Sequence, residues 1–139
     1  MASSEEDAYP ILESLDVDYV LVIFGGRAAY SSDDINKLLW PVRIGRGVYG
    51  AEMPAENEFF TPSGLVVGEG APNALVNSVA YKLSYYRFSE SSIPHSNFPK
   101  GYDTVRQAVV NSEKIVLNTM EEAFTSENWI VRIYKVKNR

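Results

Sequence analysis

With 139 residues, 45% of them hydrophobic, the chain has the size and apolar content of one ordinary globular domain. Its net charge of −5, from 13 basic and 18 acidic side chains without a clustered Lys/Arg face, speaks against a nucleic-acid partner. The absence of Cys removes disulfides, thiolate-bound zinc and thiol catalysis, and a single histidine, His95, removes a His-rich metal site and any mechanism that needs two histidines.

The elements follow in chain order. Residues 3–15 read as a helix, with Ser3 or Ser4 as cap and Glu5, Glu6 and Asp7 in the first turn, where the helix dipole favours negative charge; Pro10 delays or kinks it. Residues 18–24 form a continuous apolar run rich in β-branched residues, the pattern of a strand buried on both faces, ended by Gly25-Gly26. Tyr19–Phe24 is the longest wholly apolar run, far short of the ~20 residues a spanning helix needs. The acidic start, Met1–Asp7, is also unlike the positively charged opening of a secretory signal. A second helix opens near Ser31 or Ser32, with Asp33 and Asp34 in its first turn and Ile35, Leu38, Leu39 and Val42 on one face. Pro41 is expected to kink it or end it near Trp40.

Residues 45–72 hold six of the nine glycines and three of the prolines, and read as a long irregular loop with room for one hairpin. A helix over 73–87 carries Leu75, Val76, Val79, Ala80, Leu83 and Tyr86 as its apolar stripe. Residues 88–103 read as loop, 104–110 and 113–118 as strands, 119–125 as a short helix and 129–137 as a final strand. The order predicts a single soluble domain over 1–139 of mixed α/β (α+β) class, a small sheet packed with helices and two long loops.

Few motifs carry chemistry. Gly45-Arg-Gly47-Val-Tyr-Gly50 spells the glycine pattern of a dinucleotide site, but a helix precedes it and nothing after it opens a helix toward a pyrophosphate, so a loop is the better reading. His95 stands alone between Pro94 and Ser96. Asp34 and Lys37 stand three apart on one helical turn and can lie side by side. Taken by themselves, Asp33, Asp34 and Lys37 are explained by the helix dipole and a weak surface pair. Arg87 near a helix end suits the same dipole, and the rings of Tyr85-Tyr86-Arg87-Phe88 suit a core. No Asn-x-Ser/Thr occurs: Asn77 and Asn111 are followed directly by Ser, with Val79 and Glu113 in the third position, so the domain is expected to carry no N-glycan.

Six stretches together resemble one family. They are Tyr19-Val-Leu-Val-Ile-Phe-Gly-Gly26, Tyr30-Ser-Ser-Asp-Asp-Ile-Asn-Lys-Leu-Leu-Trp40, Val42-Arg-Ile-Gly45, Tyr85-Tyr-Arg-Phe88, Gly101-Tyr-Asp-Thr-Val-Arg106 and Trp129-Ile-Val-Arg-Ile-Tyr-Lys-Val-Lys137. In this order they are similar to the lumenal C-terminal domain of the catalytic subunit of eukaryotic oligosaccharyltransferase, nearly end to end, with loops 46–70 and 89–100 diverging. The resemblance implies a piece of a membrane protein of the endoplasmic reticulum, facing its lumen. It implies a role in protein N-glycosylation, in which an oligosaccharide moves from a dolichyl pyrophosphate lipid to the Asn of Asn-x-Ser/Thr. The partners it implies are the acceptor polypeptide, the lipid-linked oligosaccharide and the other subunits. The family's divalent metal (Mn or Mg) and catalytic acids lie in loops of its membrane region, and its Trp-Trp-Asp-Tyr-Gly motif has no counterpart here, where the only tryptophans are Trp40 and Trp129. The chain is therefore expected to be inactive alone.

The family's second recognition element, Asp-x-x-Lys-x-x-x-(Met or Ile), falls on Asp34 and Lys37, with Pro41 at the closing position. Proline departs from the pattern: either the acceptor pocket is reshaped, or Trp40 or Val42 fills the place. Acceptor recognition through Asp34, Lys37 and Pro41 is one implied role, and a docking module for other subunits, using the aromatic surface and the divergent loops, is the alternative.

Overall fold

A computed structural model describes residues 1–52 and 55–137. Helix α1 (Glu5–Ser14) starts where Ser4 Oγ accepts the Asp7 N–H at 3.2 Å, and it runs through Pro10 without ending. Strand β1 (Tyr19–Ile23) follows, then a 3₁₀ turn over Ile35–Lys37 and helix α2 (Leu39–Tyr49). Helices α3 (Asn73–Val76) and α4 (Val79–Tyr85) come next, then β2 (Tyr102–Asp103), β3 (Ala108–Val109), β4 (Met120–Thr125) and β5 (Val131–Val136). The class is mixed α+β, as the element order predicts. No helix among the described residues is long and apolar enough to cross a membrane.

One sheet has the order β1-β5-β4, antiparallel throughout, with Leu21 opposite Ile133 and Glu122 opposite Tyr134; β2 and β3 form a separate two-stranded pair. β1 is an edge strand and only one of its faces is covered. Val22 is buried while Tyr19 and Leu21 face solvent, which corrects the expectation of burial on both faces. Helices α1 and α4 cover the inner face. Val22, Val79, Leu83, Met120, Tyr134 and Val136 make the smaller cluster there. On the far side of α4 a larger cluster joins Phe24, Ile35, Leu38, Val42, Tyr81, Tyr85 and Phe88. Phe24 stands edge-on to both Tyr85 and Phe88, with centroids 5.1 and 5.2 Å away, the arrangement that ring quadrupoles favour.

Two buried charges lock the sheet. Glu5 is not a surface dipole partner: its carboxylate accepts the Asn118 and Thr119 N–H groups and the Thr119 hydroxyl, at 2.8–3.1 Å, tying α1 to the approach of β4. Arg132 donates to the Leu83 and Ser84 carbonyls at the end of α4 and to Glu122 Oε2 at 2.9 Å, and lies over the Trp129 ring. A guanidinium is well placed there, because the last helical carbonyls lack intrahelical donors.

Several local expectations are corrected. Residues 119–125 are not a helix: Met120–Thr125 form β4, because their backbone pairs with β5 and Met120 enters the core, which outweighs the helix preference of Met-Glu-Glu-Ala. The predicted loop from 45 begins five residues later. α2 continues through Gly45 and Gly47 and stops at Gly50, whose φ of +63° favours glycine. The remainder holds 3₁₀ turns at Gly50–Glu52 and Glu56–Glu58 and one tight turn bridging Thr61 and Gly64, while 53–54 lie outside the described residues. Pro41 neither kinks nor ends a helix: it lies in the first turn of α2, where an absent N–H costs no intrahelical bond. The helix expected over 73–87 is divided at Asn77-Ser78, where Ser78 Oγ accepts the Tyr81 N–H and caps α4. Of the strands expected at 104–110 and 113–118, only Ala108–Val109 pairs.

Candidate functional site: a buried carboxylate clamp under the Asp34–Lys37 turn

The chain leaves β1 through Gly25 and Gly26, which are both needed for close approach. A Cβ on Gly25 would lie 1.6 Å from the Tyr30 carbonyl oxygen, and one on Gly26 would lie 2.8 Å from the Asp103 carboxylate. The tight exit brings Asp33 and Asp34 back against the end of the strand. Asp34 pairs with Ile23 twice: its N–H donates to the Ile23 carbonyl at 3.0 Å, and its Oδ2 accepts the Ile23 N–H at 2.8 Å. The edge of β1 is thus closed at that point by a side chain.

Asp33 is fully buried and its carboxylate is saturated. Oδ2 accepts the Gly25 N–H at 2.8 Å, and Oδ1 accepts the Asn36 N–H at 3.3 Å; the 3₁₀ turn is entered at Asp34 without a side-chain cap bond, not capped by Ser31 or Ser32 as expected. Arg106 then grips both oxygens, Nη1 on Oδ1 at 2.9 Å and Nη2 on Oδ2 at 2.8 Å. The same guanidinium donates through Nη1 to Asn36 Oδ1 and through Nε to Asp103 Oδ2, each at 2.9 Å. Asp103, also buried, accepts the Val105 and Arg106 N–H groups on Oδ1 and the Tyr85 hydroxyl on Oδ2 at 2.5 Å. One cation and two carboxylates are closed off from water with matching donors, the condition under which a buried ion pair is tolerated.

The electrostatics follow from that closure. Burial works against the charge of Arg106, but the hydrogen bond to Asp33 and the surrounding negative charge outweigh it and hold the guanidinium more firmly protonated than usual. Burial pushes the Tyr85 hydroxyl well above its ordinary range, and the Arg106 charge recovers only part of that; Tyr85 is a permanent donor to Asp103. Tyr81, its neighbour, is pushed up to about 12, chiefly by burial and then by the Asp103 charge.

Above this clamp the Ile35–Lys37 turn reaches the surface. The Lys37 N–H closes the turn on the Asp34 carbonyl at 3.1 Å, and its side chain is exposed. Among the described residues no ion pair joins Lys37 to Asp34, whose carboxylate is turned to the strand instead. Pro41 and Trp40 are exposed one turn further on, whereas Val42 is in the core and cannot take the place of Pro41 at a surface. The structure therefore brings Asp34, Lys37 and Pro41 onto one short segment, with Asp34 inward and the other two outward. His95 lies apart, exposed in a loop with φ of +58°. The Gly45–Gly50 pattern is helix and presents no phosphate cradle.

Arg106, Asp103 and Tyr85 were not singled out by sequence reasoning as a unit. Only the Asp103–Arg106 spacing hints at a local pair; the grip on Asp33 comes from 73 residues away. Among the described residues no three His, Asp or Glu side chains gather into a cation site, and the two buried acids nearest each other are saturated by Arg106. The divalent metal that the resemblance implies finds no ligand set in these residues. The arrangement has no nucleophile held by a base.

No family model matches the chain. Curated relatives do. The chain is 50% identical over 137 residues to the dolichyl-diphosphooligosaccharide–protein glycosyltransferase subunit STT3B of Oryza sativa subsp. japonica, covering 99% of this chain and 19% of the relative. It is 47% identical over 137 residues to subunit stt-3 of Caenorhabditis elegans, covering 99% and 18%, and 50% identical over 139 residues to subunit STT3 of Dictyostelium discoideum, covering 99% and 19%. The chain thus spans about a fifth of the length of the curated relatives it matches. Identity near one half, sustained over almost every residue of a fold whose buried clamp is built from the resembling stretches, establishes that the chain belongs to the STT3 family of oligosaccharyltransferase subunits.

Proposed function

We propose that the chain serves protein N-glycosylation as a part of an STT3 subunit that helps recognise the acceptor Asn-x-Ser/Thr, and that it does not transfer the oligosaccharide alone. The observation that carries this is the clamp beneath the Asp34–Lys37 turn: Arg106, Asp33 and Asp34 fix the turn rigidly while Lys37 is held out to solvent. A hydroxyl-bearing acceptor is best selected by a preorganised polar site, because an analogue without the hydroxyl leaves that site unpaired. Lys37 is the charged contact, Pro41 the apolar wall beside it, and Asp34 the residue that seats the turn. In this reading the whole subunit works in the endoplasmic reticulum with its lipid-linked donor, the acceptor polypeptide and the other subunits of the complex.

The test is a chimera. The chain replaces its counterpart in an STT3 subunit of a cell lacking its own copy, and glycan occupancy of a reporter is read with assembly checked. Lys37→Ala should lower occupancy. Asp34→Asn keeps an acceptor for the Ile23 N–H, so it separates charge from folding. Occupancy unchanged by both substitutions in an assembled chimera would remove the recognition role. A second reading, a docking module for other subunits, draws on the uncovered sheet face bearing Tyr19, Leu21 and Phe124. It requires that substitutions there, or in loop 46–70, release subunits on purification.

A further inference from the structure

The turn that carries Lys37 is held by more than its own backbone. Two backbone bonds close it, from the Lys37 N–H to the Asp34 carbonyl at 3.1 Å and from the Leu38 N–H to the Ile35 carbonyl at 3.3 Å. Bonds of the 3₁₀ type have poor geometry, and no side chain caps the entry at Asp34. The side chains of the turn have separate fates. Ile35 is in the core, Lys37 is exposed, and Asn36 turns toward the clamp.

Asn36 ties the turn in two directions. Its Nδ2 donates to the Ser31 carbonyl at 2.8 Å, in the loop before the turn, and its Oδ1 accepts Arg106 Nη1 at 2.9 Å. The same Nη1 bonds Asp33 Oδ1 at 2.9 Å, and that oxygen also accepts the Asn36 backbone N–H at 3.3 Å. Arg106 therefore touches both the carboxylate ahead of the turn and the amide within it. Only an amide of this length suits the place. The Ser31 carbonyl requires a donor and the guanidinium requires an acceptor, and one carboxamide offers both. A carboxylate at 36 would lack the donor, and an alanine would lack both.

The position of Asn36 separates it from the residues that hold the fold. Its side chain is exposed, and without it Arg106 still bonds Asp33 Oδ2 and Asp103 Oδ2. Its two side-chain bonds instead fix the backbone that leads directly into Lys37.

We propose that Asn36 is a positioning residue for the acceptor: by joining Ser31 to Arg106 it sets the direction in which Lys37 is presented, and Lys37 makes the contact. This rests on the acceptor-recognition reading above and adds to it a residue that the reading leaves out.

The chimeric subunit, purified in its complex, is assayed over a range of concentrations of an Asn-x-Thr peptide. It carries Asn36→Ala, Lys37→Ala or both. Asn36→Ala should raise the acceptor KM about three- to tenfold, the size of one net hydrogen bond. The kcat should not change, because loss of uniform binding moves KM alone. In the Lys37→Ala background the same substitution should add less than about twofold, because residues that act through one contact are not additive. The urea midpoint of Asn36→Ala should stay near that of the parent chain. An unchanged KM in Asn36→Ala, a fall in kcat instead, or full multiplication of the two KM effects overturns the proposal. So does an Asn36→Ala complex that fails to assemble, which makes the residue structural. A KM unchanged by Lys37→Ala removes acceptor recognition by the turn, and this proposal with it. A KM raised by Lys37→Ala but not by Asn36→Ala removes Asn36 alone.

Discussion

Arg106 holds Asp33 with two hydrogen bonds of 2.9 and 2.8 Å, and through that grip the loop after β2 fixes the turn that follows β1. Neither side chain reaches solvent to a useful extent: exposure is 5% for Arg106 and 0% for Asp33. The pair therefore acts through position. Removing the cation leaves two buried carboxylates facing each other.

That relationship gives the largest expected stability effect. Arg106→Met should destabilise the chain by about 3–5 kcal/mol, the cost of orphaning a buried partner, measured by urea denaturation. Arg106→Lys should recover only part of this, because an ammonium cannot bond Asp33 with two parallel donors and Asp103 with a third. A loss below ~1 kcal/mol for Arg106→Met, the range of an exposed pair, would contradict the burial described.

Two glycines should respond with opposite sign. Gly25→Ala meets the Tyr30 backbone oxygen at 1.6 Å and is expected to unfold the β1 exit or abolish expression. Gly47→Ala meets nothing within 4 Å, lies inside α2 and should stabilise by about 0.5–1 kcal/mol. Thermal unfolding of the two proteins checks both, and a destabilising Gly47→Ala would argue that residues 45–49 are not helical.

Glu5 should be worth more than a helix-dipole partner. Glu5→Ala removes the acceptor of two backbone N–H groups and a hydroxyl and is expected to cost about 2–3 kcal/mol. Hydrogen exchange should accelerate first at the Asn118 and Thr119 amides. Exchange unchanged at those two positions would show that the contact does not protect them.

Acid should weaken the sheet through Glu122. Burial pushes this carboxyl up, but hydrogen bonds from Thr125, Arg132 and Arg87 outweigh it, and it titrates below its ordinary value. A carboxylate lowered in the folded state stabilises above its unfolded pKa of ~4.3. That stability is lost as pH falls through the folded value. The urea midpoint should drop below pH ~4 in the parent, and Glu122→Gln should lower it at neutral pH while flattening the acid dependence. An equally steep acid loss in Glu122→Gln would place the effect on other carboxylates.

Local pattern was a good guide wherever the deciding interactions were close in sequence. The Ser4 cap, the apolar run of β1 and the buried row of Ile35, Leu38 and Val42 appear where periodicity placed them, whereas β5 buries Arg132, Tyr134 and Val136 rather than the Trp129, Val131 and Ile133 side that the pattern singled out. The same stretches, through their likeness to one family, pointed to Asp34, Lys37 and Pro41. Pattern misled where distant partners outweigh propensity. Residues 119–125 hold good helix formers, yet they become β4 because β5, closing the chain, offers backbone donors and a packed face. The glycines at 45 and 47 resemble loop, yet α2 runs through them, anchored by Val42, which is buried in the cluster that also holds Leu38 and Phe59.

The sequence by itself determined the class of the fold, the helical and strand segments with strong periodicity, and the family to which the chain belongs. Tertiary structure decided which charged residues are structural and which are presented. Asp33 and Asp34 are adjacent and alike in sequence, but one is sealed under Arg106 and the other closes the edge of β1, while Lys37 alone is left outward. The physical reason is that a carboxylate's role is set by the donors that surround it after folding. Here the decisive donor lies 73 residues away, beyond the reach of any local pattern.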